Sequence, residues 1–133
     1  SKICIEECQN LESKDKITYT LGNGYSLENT KSESKDFVFS WGTFIHLHKD
    51  VIELYLEEIH RVLKPGGKGF IHHSFLSGGS DTSFDNMGGR SNMQPDEFRL
   101  LSEQKGLKLI EQENFQHYVN GHLLFDTVTT IEK

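Results

Sequence analysis

One helix between two short apolar runs constrains the fold of this chain more than any other feature. The first run, Asp36–Trp41, is apolar after its acidic first residue, which is typical of a strand buried on both faces of a parallel sheet. A helix follows, with Asp50 and Glu53 as a capping-box-like pair at its start, and Pro65–Gly67 ends it. Gly69–Phe75 is the second run. Strand, helix and strand in this order predict a βαβ unit with a right-handed crossover.

The amino-terminal segment predicts one helix and one strand. Residues 3–11 place apolar side chains at helical spacing. Cys4 and Cys8 share one face of that helix with their thiols parallel, so we expect them to face a core without forming a disulfide. Lys16–Leu21 alternates and is rich in β-branched and aromatic residues, which indicates a strand that Gly22–Gly24 ends.

The carboxyl-terminal half predicts a further helix and an antiparallel pair of strands. The glycine-rich stretch Ser77–Asn92 is typical of a long loop. A helix is predicted within Pro95–Gly106, where a first-turn proline opens it and a glycine stops it. Leu107–Gln116 and His122–Ile131 are strand-like, and the Asn-Gly pair at 120–121 is a strong hairpin signal. The tail is therefore expected to be antiparallel, attached to a parallel sheet.

Length and charge limit the classes of function. A chain of 133 residues suits one domain and is short for two. Its formal charge of −6 argues against a protein that binds nucleic acid by neutralising phosphates. No apolar run reaches the roughly 20 residues of a membrane span, and no signal peptide opens the chain. We therefore expect a single cytoplasmic domain that takes neither nucleic acid nor a membrane as its partner.

Polar and aromatic side chains follow both strands of the βαβ unit. Asp36–Trp41 runs out into Gly42–His48, and Gly69–Phe75 runs out through His72–Ser74. In open α/β sheets, ligands bind outside the carboxyl ends of the strands. These two stretches are therefore expected to share one edge of the sheet and to line the pocket.

The same stretches carry a family resemblance. The Arg-Val-Leu-Lys-Pro-Gly-Gly sequence of Arg61–Gly67 closely resembles the turn before the fifth strand of class I S-adenosylmethionine-dependent methyltransferases, where it ends a helix and reverses into the strand. The resemblance covers nearly the whole chain. It rests on the stretches Asp36–Trp41, Phe44–Leu47, Glu58–Gly67, Ile71–Ser74 and Arg90–Met93 and on the closing antiparallel strands.

The resemblance implies an incomplete Rossmann-like methyltransferase fold. The family's sheet has seven strands in the order 3-2-1-4-5-7-6, and the strands predicted here fit strands three to seven, with the last antiparallel. Strands one and two are missing, and with them the glycine-rich turn and the ribose-binding acid that grip most of the cofactor. Residues 1–133 are thus expected to form a single partial domain that alone binds S-adenosylmethionine weakly or not at all. A second copy of the chain is one way to fill the exposed sheet edge.

The family's site residues can be carried over at matching positions only. Asn23, with Gly24 beside it, takes the place of the acid that contacts the adenine amino group. The remaining cofactor-binding positions follow strand four, beside the methionine portion: Ser40, Trp41 and Gly42. The positions that match the acceptor side are Phe44, His46, His72, His73 and Arg90.

Methyl transfer is an in-line displacement at an already activated carbon, so the protein mainly aligns the two reactants and excludes water. A hydroxyl acceptor also needs a base, and neutral imidazole suits that role near neutral pH. His46 is the first candidate and His73 the second, each against the alternative of a structural histidine. The Phe-x-His-Leu segment resembles small-molecule methyltransferases that act on sugars or glycan precursors, so a sugar-type hydroxyl is the expected acceptor.

Two other classes of function stay open. The chain could be a non-catalytic interaction module that uses the methyltransferase fold as a scaffold. Seven histidines also permit a metal-binding domain, although no spacing specifies the three or four ligands of a stable site, and we predict no metal.

Overall fold

The computed structural model describes residues 2–9, 16–75, 90–119 and 122–133. They form three α-helices, four strands and one 3-10 turn. In chain order these are α1 (Lys2–Gln9), β1 (Lys35–Ser40), the 3-10 turn Phe44–His46, α2 (Lys49–Val62), β2 (Leu63–Ser74), α3 (Pro95–Gln104), β3 (Lys108–Val119) and β4 (His122–Glu132).

The four strands form one mixed sheet in the order β1-β2-β4-β3. β1 and β2 are parallel, with Ser40 opposite Ile71. β4 lies between β2 and β3 and is antiparallel to both. This order matches strands four, five, seven and six of the expected plan, which confirms the Rossmann-like fold class with an antiparallel last strand. The predicted hairpin turn at 120–121 lies outside the described residues, but Val119 pairs with His122 on either side of it.

The core lies between the sheet and the two helices that cover one of its faces. α2 contributes one buried stripe, α3 contributes Phe98, and β2 and β4 contribute Ile71 and Ile131. Each fully buried side chain of this kind contributes about 1.5–3 kcal/mol. The buried stripe of α2 consists of Ile52, Leu56, Ile59 and Val62.

The opposite face of β1 is open, so the prediction of a strand buried on both faces is wrong. Phe37, Phe39 and Trp41 are 55%, 64% and 55% exposed, whereas Val38 packs against the core. Alternate side chains of a strand point to opposite faces, and α2 and α3 cover only one of them. On the open face, Phe39 stacks on Phe70 with ring centroids 5.9 Å apart.

The predicted strand Lys16–Leu21 is not a strand in this structure. A strand needs a neighbour for its backbone N–H and C=O groups, and β1 ends the sheet on this side. The segment after Leu21 does not join the sheet but is hydrogen-bonded to the last turns of α2. The Leu27 N–H donates to Glu58 Oε2 over 2.8 Å, and Arg61 donates to the carbonyl oxygens of Leu27 and Thr30.

The helix ends differ in part from their predictions. The N-cap of α2 is His48 and makes no side-chain capping bond, so the capping box of Asp50 and Glu53 is wrong. The helix then ends at Val62, before the Pro-Gly-Gly turn, which belongs to β2. α3 does begin with a first-turn proline and is followed by Gly106 at a φ of +81°, as expected for a left-handed helix stop.

The amino-terminal helix is confirmed over Lys2–Gln9 but buries none of its residues. Cys4 is exposed and Cys8 is half-buried, and neither forms a disulfide. The expectation that the two cysteines face a core is therefore wrong, while the expectation of free thiols holds. Among the described helices, none has the length and hydropathy needed to span a membrane.

Candidate active site at the carboxyl ends of the parallel strands

β1 and β2 end at the same edge of the sheet, which we call the rim. The backbone N–H of Gly42, just after β1, donates to Nδ1 of His72, near the end of β2, over 3.1 Å. The Trp41 ring stacks on the His72 imidazole with centroids 4.2 Å apart. The two segments that the sequence predicted to share one edge therefore touch each other.

A third segment joins the rim through backbone hydrogen bonds. The Ser91 N–H donates to the Ile45 carbonyl over 2.7 Å, which ties residues 90–93 to the 3-10 turn after β1. The Ser74 hydroxyl donates to the Ser91 carbonyl, also over 2.7 Å, which ties the same residues to the end of β2. The rim is thus assembled from three separate parts of the chain.

A fully buried carboxylate, that of Asp126 on β4, lies at the centre of the rim. One of its oxygens accepts a hydrogen bond from the guanidinium of Arg90. The other oxygen lies 3.1 Å from His72 Nε2 and 3.5 Å from His117 Nε2. A buried carboxylate is tolerated only where cations and donors compensate it, and this one has three such side chains around it.

Three buried polar atoms of this cluster have no hydrogen-bond partner within the described ranges: His72 Nε2, His117 Nδ1 and Asp126 Oδ2. The 3.1 Å separation between His72 and Asp126 is short enough for an ion pair, but the ring N–H axis is not aligned with the oxygen. Such a group of unsatisfied atoms is rare in a folded core and is typical of a functional site.

The sequence alone did not identify Asp126 or His117. In the sheet, Asp126 of β4 pairs with Ser74 of β2 on one side and with Phe115 of β3 on the other. A signal was present, because an acid interrupts the apolar run Leu123–Val128 in a predicted strand. Recognising it as part of the site required the register of β4 against β2.

His73, the second candidate base, lies in the core rather than at the rim. Its imidazole is fully buried and stacks on Phe98. Nδ1 donates to the Ser74 carbonyl over 3.0 Å, and Nε2 lies 2.9 Å from the Thr129 hydroxyl. Burial lowers the pKa of His73 to about 4, although the Ser74 carbonyl partly opposes that shift. Neighbouring residues of a strand face opposite sides, so His72 reaches the rim and His73 cannot.

The two acceptor-side residues of the 3-10 turn have different surroundings. Phe44 is only 5% exposed and packs against Tyr55, with ring centroids 5.8 Å apart, so it supports the turn from the core side. His46 is exposed, and it follows Ile45, whose carbonyl binds Ser91. The turn therefore carries His46 at the rim.

The residues predicted to bind the cofactor fall into two places. Ser40, Trp41 and Gly42 lie at the rim. Asn23, by contrast, closes a local turn, in which its Oδ1 accepts the N–H groups of Tyr25 and Ser26. The adenine-contacting oxygen expected of Asn23 is thus already engaged, and Gly24 at a φ of +96° belongs to the same turn.

The described rim fits one end of an S-adenosylmethionine site. Gly42 has a φ of +75°, and a Cβ placed there would meet no atom within 4 Å, so space is open beside its backbone. The half-exposed Trp41 ring borders that space. In the described ranges, no three His, Cys, Asp or Glu side chains are arranged to hold a metal ion. Arg90 already pairs with the Asp126 carboxylate, and the positive charge of Arg90 would oppose a metal cation there.

A family profile described as a methyltransferase domain matches residues 1–71, which is more than half of the chain. The chain belongs to this methyltransferase family. Proteins of known structure with a similar fold include a SAM-dependent methyltransferase and a methyltransferase solved with S-adenosylhomocysteine. No curated protein matches the chain by sequence.

Solved structures share the fold at low sequence identity. A SAM-dependent methyltransferase from Methanosarcina mazei has a TM-score of 0.71 at 16% identity, over 96% of this chain and 74% of that one. The 1,6-didemethyltoxoflavin-N1-methyltransferase of Burkholderia thailandensis, solved with S-adenosylhomocysteine, has a TM-score of 0.57 at 19% identity, over 77% and 45%. The cyclase SpnF has a TM-score of 0.78 at 12% identity, over 100% and 64%. The chain spans only part of each protein, and these likenesses show the fold alone.

Proposed function

We propose that residues 1–133 form the acceptor side of a single, partial methyltransferase domain. In the intact protein it transfers a methyl group from S-adenosylmethionine to a hydroxyl of a small molecule of the sugar or glycan-precursor type. The observation that carries the proposal is the hydrogen bond between Gly42 and His72, because it joins the methionine side of the site to the acceptor side. We expect the reaction to take place in the cytoplasm.

The cofactor, when bound, supplies a methyl group that its positive sulfur has already activated. Trp41 and Gly42 would hold its methionine end, together with Ser40 at the end of β1. Asn23 and Gly24 are left with at most a peripheral contact to adenine, since the Asn23 oxygen is engaged in its own turn. The role of the chain is to orient the acceptor against the methyl group and to exclude water.

The charge at the rim suits an uncharged group at the reacting end of the acceptor. Arg90 is paired with Asp126, so neither supplies a free charge beside the methylated hydroxyl. His72 and Arg90 are buried and engaged with Gly42 and Asp126, so we propose that they order this side of the site rather than contact the acceptor themselves. Phe44 shapes this side only indirectly, from beneath the 3-10 turn.

We propose His46 as the base that takes the proton of the acceptor hydroxyl. It is exposed at the rim, whereas His73 is buried with both ring nitrogens engaged. A positioned base contributes about 100-fold to 10,000-fold to the rate. Replacing His46 by Gln should lower kcat by that order and leave the affinity for S-adenosylmethionine unchanged.

The test is methyl transfer by the full natural protein that contains this chain. S-adenosylmethionine binding is measured by titration calorimetry on that protein and on residues 1–133, and transfer of a labelled methyl group is followed to free sugars, sugar nucleotides and, as controls, amines. We expect binding by the full protein, weak or no binding by residues 1–133, and transfer to a hydroxyl. Transfer only to amines would refute the acceptor class, and the absence of binding by the full protein would refute the function.

A non-catalytic interaction module is the second candidate, and the open face of β1 favours it. Phe37, Phe39 and Trp41 are each more than half exposed, beside an edge of β1 with which no other described strand pairs. Such a surface can also support a homodimer through that edge. Sedimentation of residues 1–133 over a range of concentrations tests the dimer. A full protein that neither binds the cofactor nor transfers methyl groups would support the module.

A further inference from the structure

We propose that Arg90, Asp126 and His72 form a positioning chain, a run of three side chains that holds the turn at Trp41 and Gly42. In that conformation the turn receives the methionine end of S-adenosylmethionine. The identity of this ligand rests on the proposed function. The contacts among Arg90, Asp126 and His72 do not depend on the identity of the ligand.

The hydrogen bond from Gly42 determines which ring nitrogen of His72 carries the proton. The Gly42 N–H donates to Nδ1 over 3.1 Å, so Nδ1 must present a lone pair. A neutral imidazole carries its proton on the other nitrogen when Nδ1 accepts. His72 therefore holds its proton on Nε2, on the side of Asp126.

The buried carboxylate of Asp126 favours a proton on His72 Nε2. Nε2 lies 3.1 Å from Asp126 Oδ2, and the side chains of His72 and Asp126 are 6% and 0% exposed. The other carboxylate oxygen is bound by Arg90. The two atoms form no hydrogen bond, so the attraction between them is electrostatic: water is excluded from this carboxylate, and a protonated Nε2 compensates its charge where a bare lone pair would not. Arg90 holds Asp126 in place, and the charge of Asp126 favours the same His72 tautomer that the Gly42 contact requires.

The His72 ring, held in this way, in turn holds the turn at Trp41 and Gly42. His72 touches two successive residues, stacking on the Trp41 ring at 4.2 Å and accepting the Gly42 N–H. Gly42 has a left-handed φ of +75°, which is a conformation that needs outside support to be unique. The ring of His72 supplies both contacts. If it were lost, the turn could relax, and the cofactor would have to reorder the turn on binding.

Two amide variants of His72 test the contacts of its two ring nitrogens one at a time. In His72→Asn the side-chain carbonyl reaches the position of Nδ1 and can still accept from Gly42, but the contact with Asp126 is lost. In His72→Gln the amide reaches the position of Nε2 and can donate to Asp126, but Gly42 loses its acceptor. In the full natural protein we expect S-adenosylmethionine affinity to fall about tenfold in His72→Gln and no more than about threefold in His72→Asn. Equal affinities in the two variants would overturn the proposal.

Gly42 and Gly66 provide a matched pair of backbone controls. Their φ values are +75° and +77°, and a Cβ at either would meet no atom within 4 Å. Gly42→Ala and Gly66→Ala should therefore lower the melting temperature similarly, because both strain the backbone alike. Only Gly42→Ala should weaken S-adenosylmethionine binding. Equal weakening by both would count against a specific role for the turn.

The contacts of His72 can also be tested in the absence of cofactor. The nitrogen-15 NMR shifts of the His72 ring report which nitrogen carries the proton, and we expect Nε2. A proton on Nδ1 would overturn the positioning chain even if every variant bound weakly. If the full wild-type protein binds no S-adenosylmethionine, the proposed function and the role of the turn in it both fail, and the ring shifts still decide whether the chain of contacts exists.

Discussion

His73 lies parallel to Phe98 in the core, with ring centroids 4.0 Å apart and an angle of 10° between the ring planes. Both side chains are fully buried. The stack connects the end of β2 to α3, so the helix is held over the sheet by a residue that can titrate.

The first prediction concerns the pH dependence that His73 gives to stability. Burial lowers its pKa from 6.5 to about 4 in the folded protein. The unfolded chain therefore binds the proton first, so the contribution of neutral His73 is complete above pH 6.5 and is lost as the pH falls towards 4. The loss amounts to about 3 kcal/mol. Urea unfolding across this pH range should show a shallower decline in His73→Gln than in wild type. Equal declines would contradict the assignment.

A second prediction uses two residues of α3. Phe98→Ala removes a fully buried ring and should lower the free energy of unfolding by about 3–5 kcal/mol. Leu100→Ala, on the same helix but at a position that is 55% exposed, should change it by less than about 0.5 kcal/mol. Urea denaturation measures both. Similar losses in the two variants would mean that α3 does not pack as described.

The pairing of Arg90 with Asp126 leads to a third prediction. Arg90→Met leaves a buried carboxylate without its cation and should cost about 3–5 kcal/mol of stability. Adding Asp126→Asn should recover part of the loss, because the uncompensated charge is removed. As the exposed counterpart, Lys64→Met breaks the 2.6 Å pair with Asp36 and should shift the urea unfolding midpoint far less than Arg90→Met does, because water screens this pair. A double variant less stable than Arg90→Met would argue against a charged pair.

The open face of β1 gives a fourth prediction. Phe39 is 64% exposed, so Phe39→Lys should leave the free energy of unfolding within about 1 kcal/mol of wild type. It should also reduce concentration-dependent self-association in sedimentation experiments. Leu54→Lys changes a 48% exposed residue of α2 and serves as the control, with no expected effect on association. Loss of association in both variants would indicate a non-specific effect of charge.

Local patterns in the sequence predicted most of the fold. The helix between two short apolar runs, the proline at Pro95 and the Asn-Gly signal between the last two strands each reflect interactions within a few residues. The prediction of a strand at Lys16–Leu21 was wrong because it depended on more than local sequence. Its alternation fits a strand, but strand formation depends on a neighbouring chain segment that local sequence does not specify.

The candidate site was predicted only in outline for a related reason. Gly42 and His72 follow neighbouring parallel strands, so their meeting at one edge could be expected from the βαβ pattern. The choice between His72 and His73 depended on which face of β2 each residue occupies, and the apolar residues around them fit either assignment. Asp126 joins them through the pairing of β4 with β2, a register that no local pattern encodes.

The strand order has a consequence for how the chain assembles. β4 is the last of the four strands to be synthesised, yet it occupies an interior position between β2 and β3. The β3–β4 hairpin can form early from neighbouring residues, whereas its docking on β2 joins distant ones, such as Ile131 with Gly69. Until that docking occurs, a nascent β2 has an unpaired side, and the carboxylate of Asp126 has not yet been brought to His72. Completion of the rim therefore requires the last-synthesised of the four described strands to dock on β2.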